Sequence, residues 1–259
     1  MSSFAAGRRV DLGSAPSRQG DCRTLPTLAD LAARLWSQRP AQGVFIVGLT
    51  GGVACGKSTL AESLEAAFRA LPESPRVERV ATDGFLFANA ILVERGILDR
   101  KGFPESYDQD GLNAALAAIR RGEAVIPGYS HVIYDVDPAL ARRVSRPDVL
   151  IVEGLGLTGD APVDTLVYLD ASEEDQEAWY VGRFLTFWDA GRSDPTSFYA
   201  RFKDLDAARA TELASMVWRS INRPNLREHI EPVRNAAAIV VRKGPGHAID
   251  SIHGPGGVS

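Results

Sequence analysis

Gly51, Gly52 and Gly56 precede Lys57, Ser58 and Thr59 in the run Gly51-Gly52-Val53-Ala54-Cys55-Gly56-Lys57-Ser58-Thr59, which spells G-x-x-x-x-G-K-S. Glycines at that spacing let the backbone wrap a polyphosphate with its N–H groups pointing inward. Lys57 then reaches the outer phosphates and the Ser58 hydroxyl is offered to Mg2+. The nine residues from Gly51 to Thr59 are therefore the expected nucleotide site, with ATP and Mg2+ as cofactors. Two carboxylates follow apolar runs: Asp83 in Thr82-Asp83-Gly84-Phe85, and Glu153 after Val149-Leu150-Ile151-Val152. Phosphoryl transfer to a hydroxyl needs a metal, cations on the moving group and a base beside the accepting oxygen. Glu153 with Ser58 is expected to hold the metal. Asp83 is expected to act as the base, because Gly84 after it permits close approach of a substrate; a turn or helix cap is the alternative for Asp83.

The elements that must position these groups alternate. Val44 to Val47, Val77 to Ala81 and Ala236 to Arg242 read as strands, and Asp148 to Val152 and Asp164 to Asp170 are apolar enough for central parallel strands buried on both faces. Helical spacing covers residues 27–38, the stretch after the phosphate loop up to Pro72, residues 88–95, 112–121 and 172–187, and a long helix from about Ala207 to Ser220 that Pro224 interrupts. Residues 123–138 are too polar at their centre for a buried strand. Strands alternating with helices predict an α/β fold, a doubly wound, mainly parallel sheet with helices on both faces and its ligands beyond the carboxyl ends of the strands. One domain is expected over residues 27–250, between poorly ordered tails at 1–26 and 251–259.

The ordered set G-G-V-A-C-G-K-S-T, T-D-G-F-L, K-G-F-P-E-S-Y-D, Y-S-H-V-I-Y-D, L-I-V-E-G-L, W-Y-V-G-R-F and I-N-R-P-N-L resembles the bacterial type I pantothenate kinases. These are a branch of the P-loop kinases that includes uridine kinase and phosphoribulokinase. The resemblance runs from about residue 44 to 249 and implies a P-loop NTPase fold. It also implies transfer of the ATP γ-phosphate to the primary hydroxyl of pantothenate, the first step toward coenzyme A. Carried over by motif, Lys57, Asp83 and Arg183 are catalytic. Lys101, Tyr129, His131, Tyr134, Tyr180, Arg183 and Asn222 bind pantothenate, whose carboxylate, amide and hydroxyls suit such a set. Arg183 serves either the substrate or the transferring phosphate, or pairs with Glu177 on its own helix. His131, Tyr134 and Tyr180 have ordinary loop or core readings. Phe184, Phe187, Phe198, Tyr199 and Phe202 are core first; the resemblance adds that such aromatics shelter coenzyme A, a feedback inhibitor in this family, and that a homodimer is the default. Three departures stand out: a shorter stretch before the phosphate loop, a truncated connection after Glu153 with Gly156 in place of asparagine, and Glu62 in place of arginine.

Composition limits the partners. Net charge is -4 and no compact Lys/Arg run occurs, which excludes a nucleic-acid surface and leaves a small molecule. Cys22 and Cys55 form no disulfide framework, and no apolar run approaches a membrane span, so the expected location is the cytoplasm. Two alternatives stay open: a P-loop kinase acting on a nucleoside or sugar, and a non-catalytic nucleotide or coenzyme A sensor.

Overall fold

Seven consecutive buried residues, Phe45–Gly51, form strand β1 at the centre of a sheet in a computed structural model that describes residues 27–254. The expected N-terminal tail and the last residues of the C-terminal one lie outside the described residues. Burial on both faces follows from the neighbours of β1, which pairs in parallel with β5 (Val149–Glu153) and β6 (Thr165–Asp170). With β2 (Val77–Ala81), β7 (Ile239–Lys243) and β8 (Ile249–His253), the order in the six-stranded sheet is β2-β5-β1-β6-β7-β8. One face packs on α1 (Leu28–Ser37) and α2 (Lys57–Arg69) through Leu31, Leu35, Leu64 and Phe68. Among the groups packed on the other is α4 (Gln109–Arg121), through Leu112, Leu116 and Ile119. This is the doubly wound arrangement anticipated from the alternation of elements.

Helix ends are set by local chemistry. Thr27 and Asp30 form a reciprocal capping box on α1, and Asp108, the last residue of K-G-F-P-E-S-Y-D, caps α4 through Gly111 N at 2.9 Å. Ser172 caps the nineteen-residue α5 (Glu173–Gly191). The short α3 (Asn89–Glu94) stands where residues 88–95 are expected to be helical.

Three elements differ from expectation. Residues 123–130 and 135–145 do form strands, β3 and β4, but as a separate two-stranded antiparallel hairpin outside the main sheet. A hairpin with largely exposed faces needs no apolar run, so its polarity is no obstacle. Pro224 does not break the helix that begins as α6 (Ala207–Val217). The chain passes through π turns at Trp218–Asn222 and Leu226–Ile230, with Pro224 seated in the short α segment between them, so helical backbone persists through a residue that has no N–H to donate. Finally, β8 carries the sheet across residue 250 as an antiparallel edge strand, where composition alone suggests a tail.

Candidate active site

The register of the sheet brings the chemistry to one edge. Glu153 lies opposite Leu49 of β1 and opposite Ala81 of β2, so the phosphate loop, Glu153 and the Thr82–Phe85 turn leave neighbouring strands at the same level. Ala54 and Gly56 take left-handed backbone angles (φ 61 and 86), which curls the loop into a concavity of N–H groups ahead of α2. Lys57 Nζ donates to the carbonyls of Gly51 (3.1 Å) and Gly52 (2.8 Å), folded back over the loop. Ser58 Oγ donates to Glu153 Oε1 at 2.9 Å. Burial raises the Glu153 carboxyl above its ordinary range, against the opposing pull of Lys57 and of the Ser58 hydrogen bond. Mg2+ takes one or two protein oxygens and completes its shell with phosphate and water, so a hydroxyl beside a carboxylate at the loop suits it.

These groups open into a cavity of about 1320 Å³. That exceeds what a single drug-sized ligand fills, roughly 300–1,000 Å³, and leaves room for a donor and an acceptor together. Lys57, Ser58, Thr59, Asp83, Lys101, Tyr129, His131, Tyr134, Glu153, Tyr180, Arg183 and Asn222 all line it, together with Val53, Ala54 and Gly56 of the loop. Gly51, Gly52 and Cys55 lie behind it. Cys55 is fully buried, burial pushes its thiol up, and its small side chain belongs to the core under α2.

Asp83 occupies the turn without capping it. Among the described residues no hydrogen bond or ion pair reaches its carboxylate, yet its charge is felt at Lys101, Tyr107, Tyr129, His131, Tyr134 and Glu153. It is an uncommitted carboxylate between the donor loop and the hairpin. At Gly84 a Cβ would overlap the Pro127 carbonyl, so one close approach that the glycine permits is that of β3.

The hairpin tip forms the opposite wall. Tyr129 meets the His131 ring edge-on at 5.2 Å and the Tyr134 ring at 6.0 Å, and Tyr134 lies 4.6 Å from Phe198. Burial lowers the His131 pKa, which keeps the imidazole neutral near pH 7, and raises the Tyr129 and Tyr134 hydroxyls, which stay protonated as donors. Lys101 also reaches this wall, where burial brings its pKa down to about 8. Arg183 sits 5.3 Å over the Phe187 ring and has no carboxylate within ion-pair distance among the described residues, so the pairing with Glu177 does not occur. Phe184, Tyr199, Phe198 and Phe202 form one packed cluster, as the core reading expects, and they line the cavity as well.

The shortened connection after Glu153 packs tightly. Gly156 N donates to Thr82 Oγ1 (3.2 Å) and its carbonyl accepts from Gln109 Nε2 (2.8 Å). The Tyr107 ring approaches to 2.9 Å of where a Cβ would stand, so asparagine does not fit there. Glu62 does not stand alone either: Arg79 on β2 bridges it (3.3 Å) and Glu65 (2.5 Å), and Arg79 itself lines the cavity.

Some lining residues lie outside every motif. Lys243, at the carboxyl end of β7, is 6% exposed and donates to the Cys55 carbonyl at 3.0 Å; a Cβ on Gly56 would lie 2.6 Å from its Nζ. Burial lowers its pKa, and no carboxylate pairs with it among the described residues. His247 beyond it stacks on Trp179 at 3.9 Å. The strand-end rule that found Asp83 and Glu153 points equally to Lys243.

Comparison with known proteins bears on the fold and the family. Residues 46–184 match the family model described as phosphoribulokinase / uridine kinase. The chain is 41% identical over 244 residues to a pantothenate kinase of Myxococcus xanthus (strain DK1622), covering 85% of this chain and 77% of that one. It is 43% identical over 224 residues to a pantothenate kinase of Streptomyces avermitilis, covering 80% and 68%. Among solved structures it is similar to a Silicibacter sp. TM1040 kinase provisionally assigned to a fructose transport system, with a TM-score of 0.63, 30% identity and coverage of 80% and 94%. The chain belongs to the phosphoribulokinase/uridine kinase family, on its pantothenate kinase branch.

Proposed function

We propose that the protein transfers the γ-phosphate of ATP to the primary hydroxyl of pantothenate, giving 4'-phosphopantothenate and ADP at the first step of coenzyme A synthesis. The observation that carries this reading is the convergence of the phosphate loop, the uncommitted Asp83 and the Tyr129–Tyr134 hairpin tip on one cavity large enough for both substrates. The identity to relatives named pantothenate kinase supports the choice of acceptor.

The loop amides and Lys57 hold the phosphates, with Lys57 leaving the Gly51 and Gly52 carbonyls to do so. Asp83 accepts the proton of the acceptor hydroxyl as its oxygen bonds to the γ-phosphorus and the bond to ADP breaks. Ser58 and Glu153 would hold Mg2+, which supplies charge neutralisation on the phosphates. Arg183, without an acidic partner among the described residues, supplies a cation to the moving phosphoryl or to the pantothenate carboxylate. Tyr129, His131, Tyr134, Tyr180 and Asn222 position the acceptor, and Lys101 adds positive charge behind them. The resemblance further supports a homodimeric cytoplasmic enzyme restrained by coenzyme A.

Incubation with ATP, Mg2+ and pantothenate, followed by mass spectrometry, should yield phosphopantothenate from the wild type and almost none from Asp83→Asn. No product from folded wild-type protein that binds ATP would reject the reading. A sugar acceptor is the second reading, favoured by the likeness to the kinase provisionally assigned to fructose transport and by the shortened loop after Glu153. ADP release across a panel of pantothenate, fructose and nucleosides separates the two.

A further inference from the structure

Tyr134 is a bulky residue with φ at +55, in the left-handed region that L side chains avoid because Cβ crowds the following carbonyl. It is the last residue before β4, at the end of the turn that carries His131. Such a conformation persists only where its surroundings over-determine it. Two donors from a different part of the chain meet on its carbonyl oxygen: Lys101 Nζ at 2.6 Å and Asn89 Nδ2 at 3.1 Å. Asn89 Oδ1 in turn accepts from Lys101 Nζ at 2.6 Å, and Asn89 N donates to Asp135 Oδ1 at 3.0 Å. Asp135 Oδ1 also accepts from Val136 N at 2.8 Å and lies 4.0 Å from Lys101 Nζ. The Asn89 amide can be oriented in only one way here, because a lysine ammonium only donates and a carbonyl only accepts.

We propose that Asn89 is a positioning residue for the acceptor: with Lys101 it latches the Tyr134 carbonyl and so holds the hairpin tip in the strained conformation that presents its aromatic wall to the cavity. Asn89 itself does not line the cavity; it acts through Tyr134 and Lys101, which do. The Lys101 side chain is 6% exposed, and its ammonium is already shared between Asn89 Oδ1 and the Tyr134 carbonyl, with the Tyr129 and Tyr134 rings 5.0 and 4.7 Å away. The latch therefore accounts for much of what Lys101 contributes without a direct bond to the substrate carboxylate. The donor loop shares none of these hydrogen bonds, so loss of the latch should be felt on one side of the cavity only.

The test compares wild type, Asn89→Ala and Asn89→Asp, the last keeping an oxygen for Lys101 while removing the donor to Tyr134. Hydrogen exchange of the ligand-free protein should quicken at the amides of residues 131–136 in Asn89→Ala, less in Asn89→Asp, with the amides of residues 51–59 unchanged. In steady state, KM for pantothenate should rise roughly tenfold in Asn89→Ala, the loss expected for a deleted hydrogen bond to a charged network, while KM for ATP stays within about twofold. Unchanged exchange at the tip, or equal rises in both KM values, overturns the proposal. The kinetic part rests on pantothenate being the acceptor. Exchange needs no acceptor, so a wild type that ignores pantothenate sinks that reading and leaves exchange to decide on the latch. Should Asn89→Ala fail to fold, Asn89→Asp carries both measurements.

Discussion

The two walls of the cavity are built by opposite means. The donor wall is backbone: a glycine-bearing loop between a fully buried strand and a helix, whose conformation is shared with the core of the sheet. The acceptor wall is side chain, a four-residue turn on a hairpin outside the main sheet, held in place by Asn89, Lys101, Asp135 and the packing of Tyr134 on Phe198. A backbone site tolerates little variation in what it binds, whereas a side-chain site can be retuned residue by residue. The difference teaches where each kind of substitution should register.

The largest separation is expected between Lys57→Ala and Asp83→Asn. Each should lower kcat by roughly 10²–10⁴, the range for a lost phosphate cation or general base. Only Lys57→Ala should also weaken binding of a non-hydrolysable ATP analogue, measured by calorimetry; equal weakening in both would erase the distinction between the walls. Lys243→Ala comes next. Removal of a buried cation braced against the Cys55 carbonyl should raise KM for ATP roughly tenfold and leave KM for pantothenate unchanged.

A pH series sharpens the acceptor side. Lys101 has a folded pKa of about 8 against an ordinary 10.5. Between those values the unfolded chain binds more protons than the folded one, so this group's contribution to stability increases as pH rises from about 8 to 10.5. Over the same interval the folded protein loses the ammonium from the latch. Melting temperature and KM for pantothenate should therefore rise together through this group, and a flat KM for pantothenate across pH 8 would detach Lys101 from acceptor binding. The smallest effect is expected from Glu62→Arg. Because Arg79 already bridges Glu62 and Glu65, the substitution should strengthen competition by coenzyme A only a few-fold, the scale of an exposed charge change, with stability within about 0.5 kcal/mol. A tight inhibition constant that does not move would dissociate Glu62 from coenzyme A altogether.

The donor wall was legible in the sequence because a backbone cradle advertises itself through spacing, and the strand-end rule located Asp83 and Glu153 without any tertiary information. The resemblance nominated the hairpin residues, and the cavity holds all of them. What stayed hidden has physical causes. The hairpin reads as loop because exposed pairing demands no apolar pattern. Pro224 reads as a stop because a π-turned helix on either side of it leaves no sequence mark. The latch joins Asn89, Lys101 and Tyr134, and long-range partners that are all polar produce no periodicity. Gly156 is legible only once Tyr107 is seen to occupy the space of an asparagine side chain.

The hairpin of β3 and β4 keeps its own ladder of hydrogen bonds, and Gly84 lets its backbone rest against the end of β2 without a side chain between them. That contact seats the hairpin beside the sheet without making it a strand of the sheet, so substitutions within residues 129–134 should reshape the cavity wall and leave the six-stranded ladder in place.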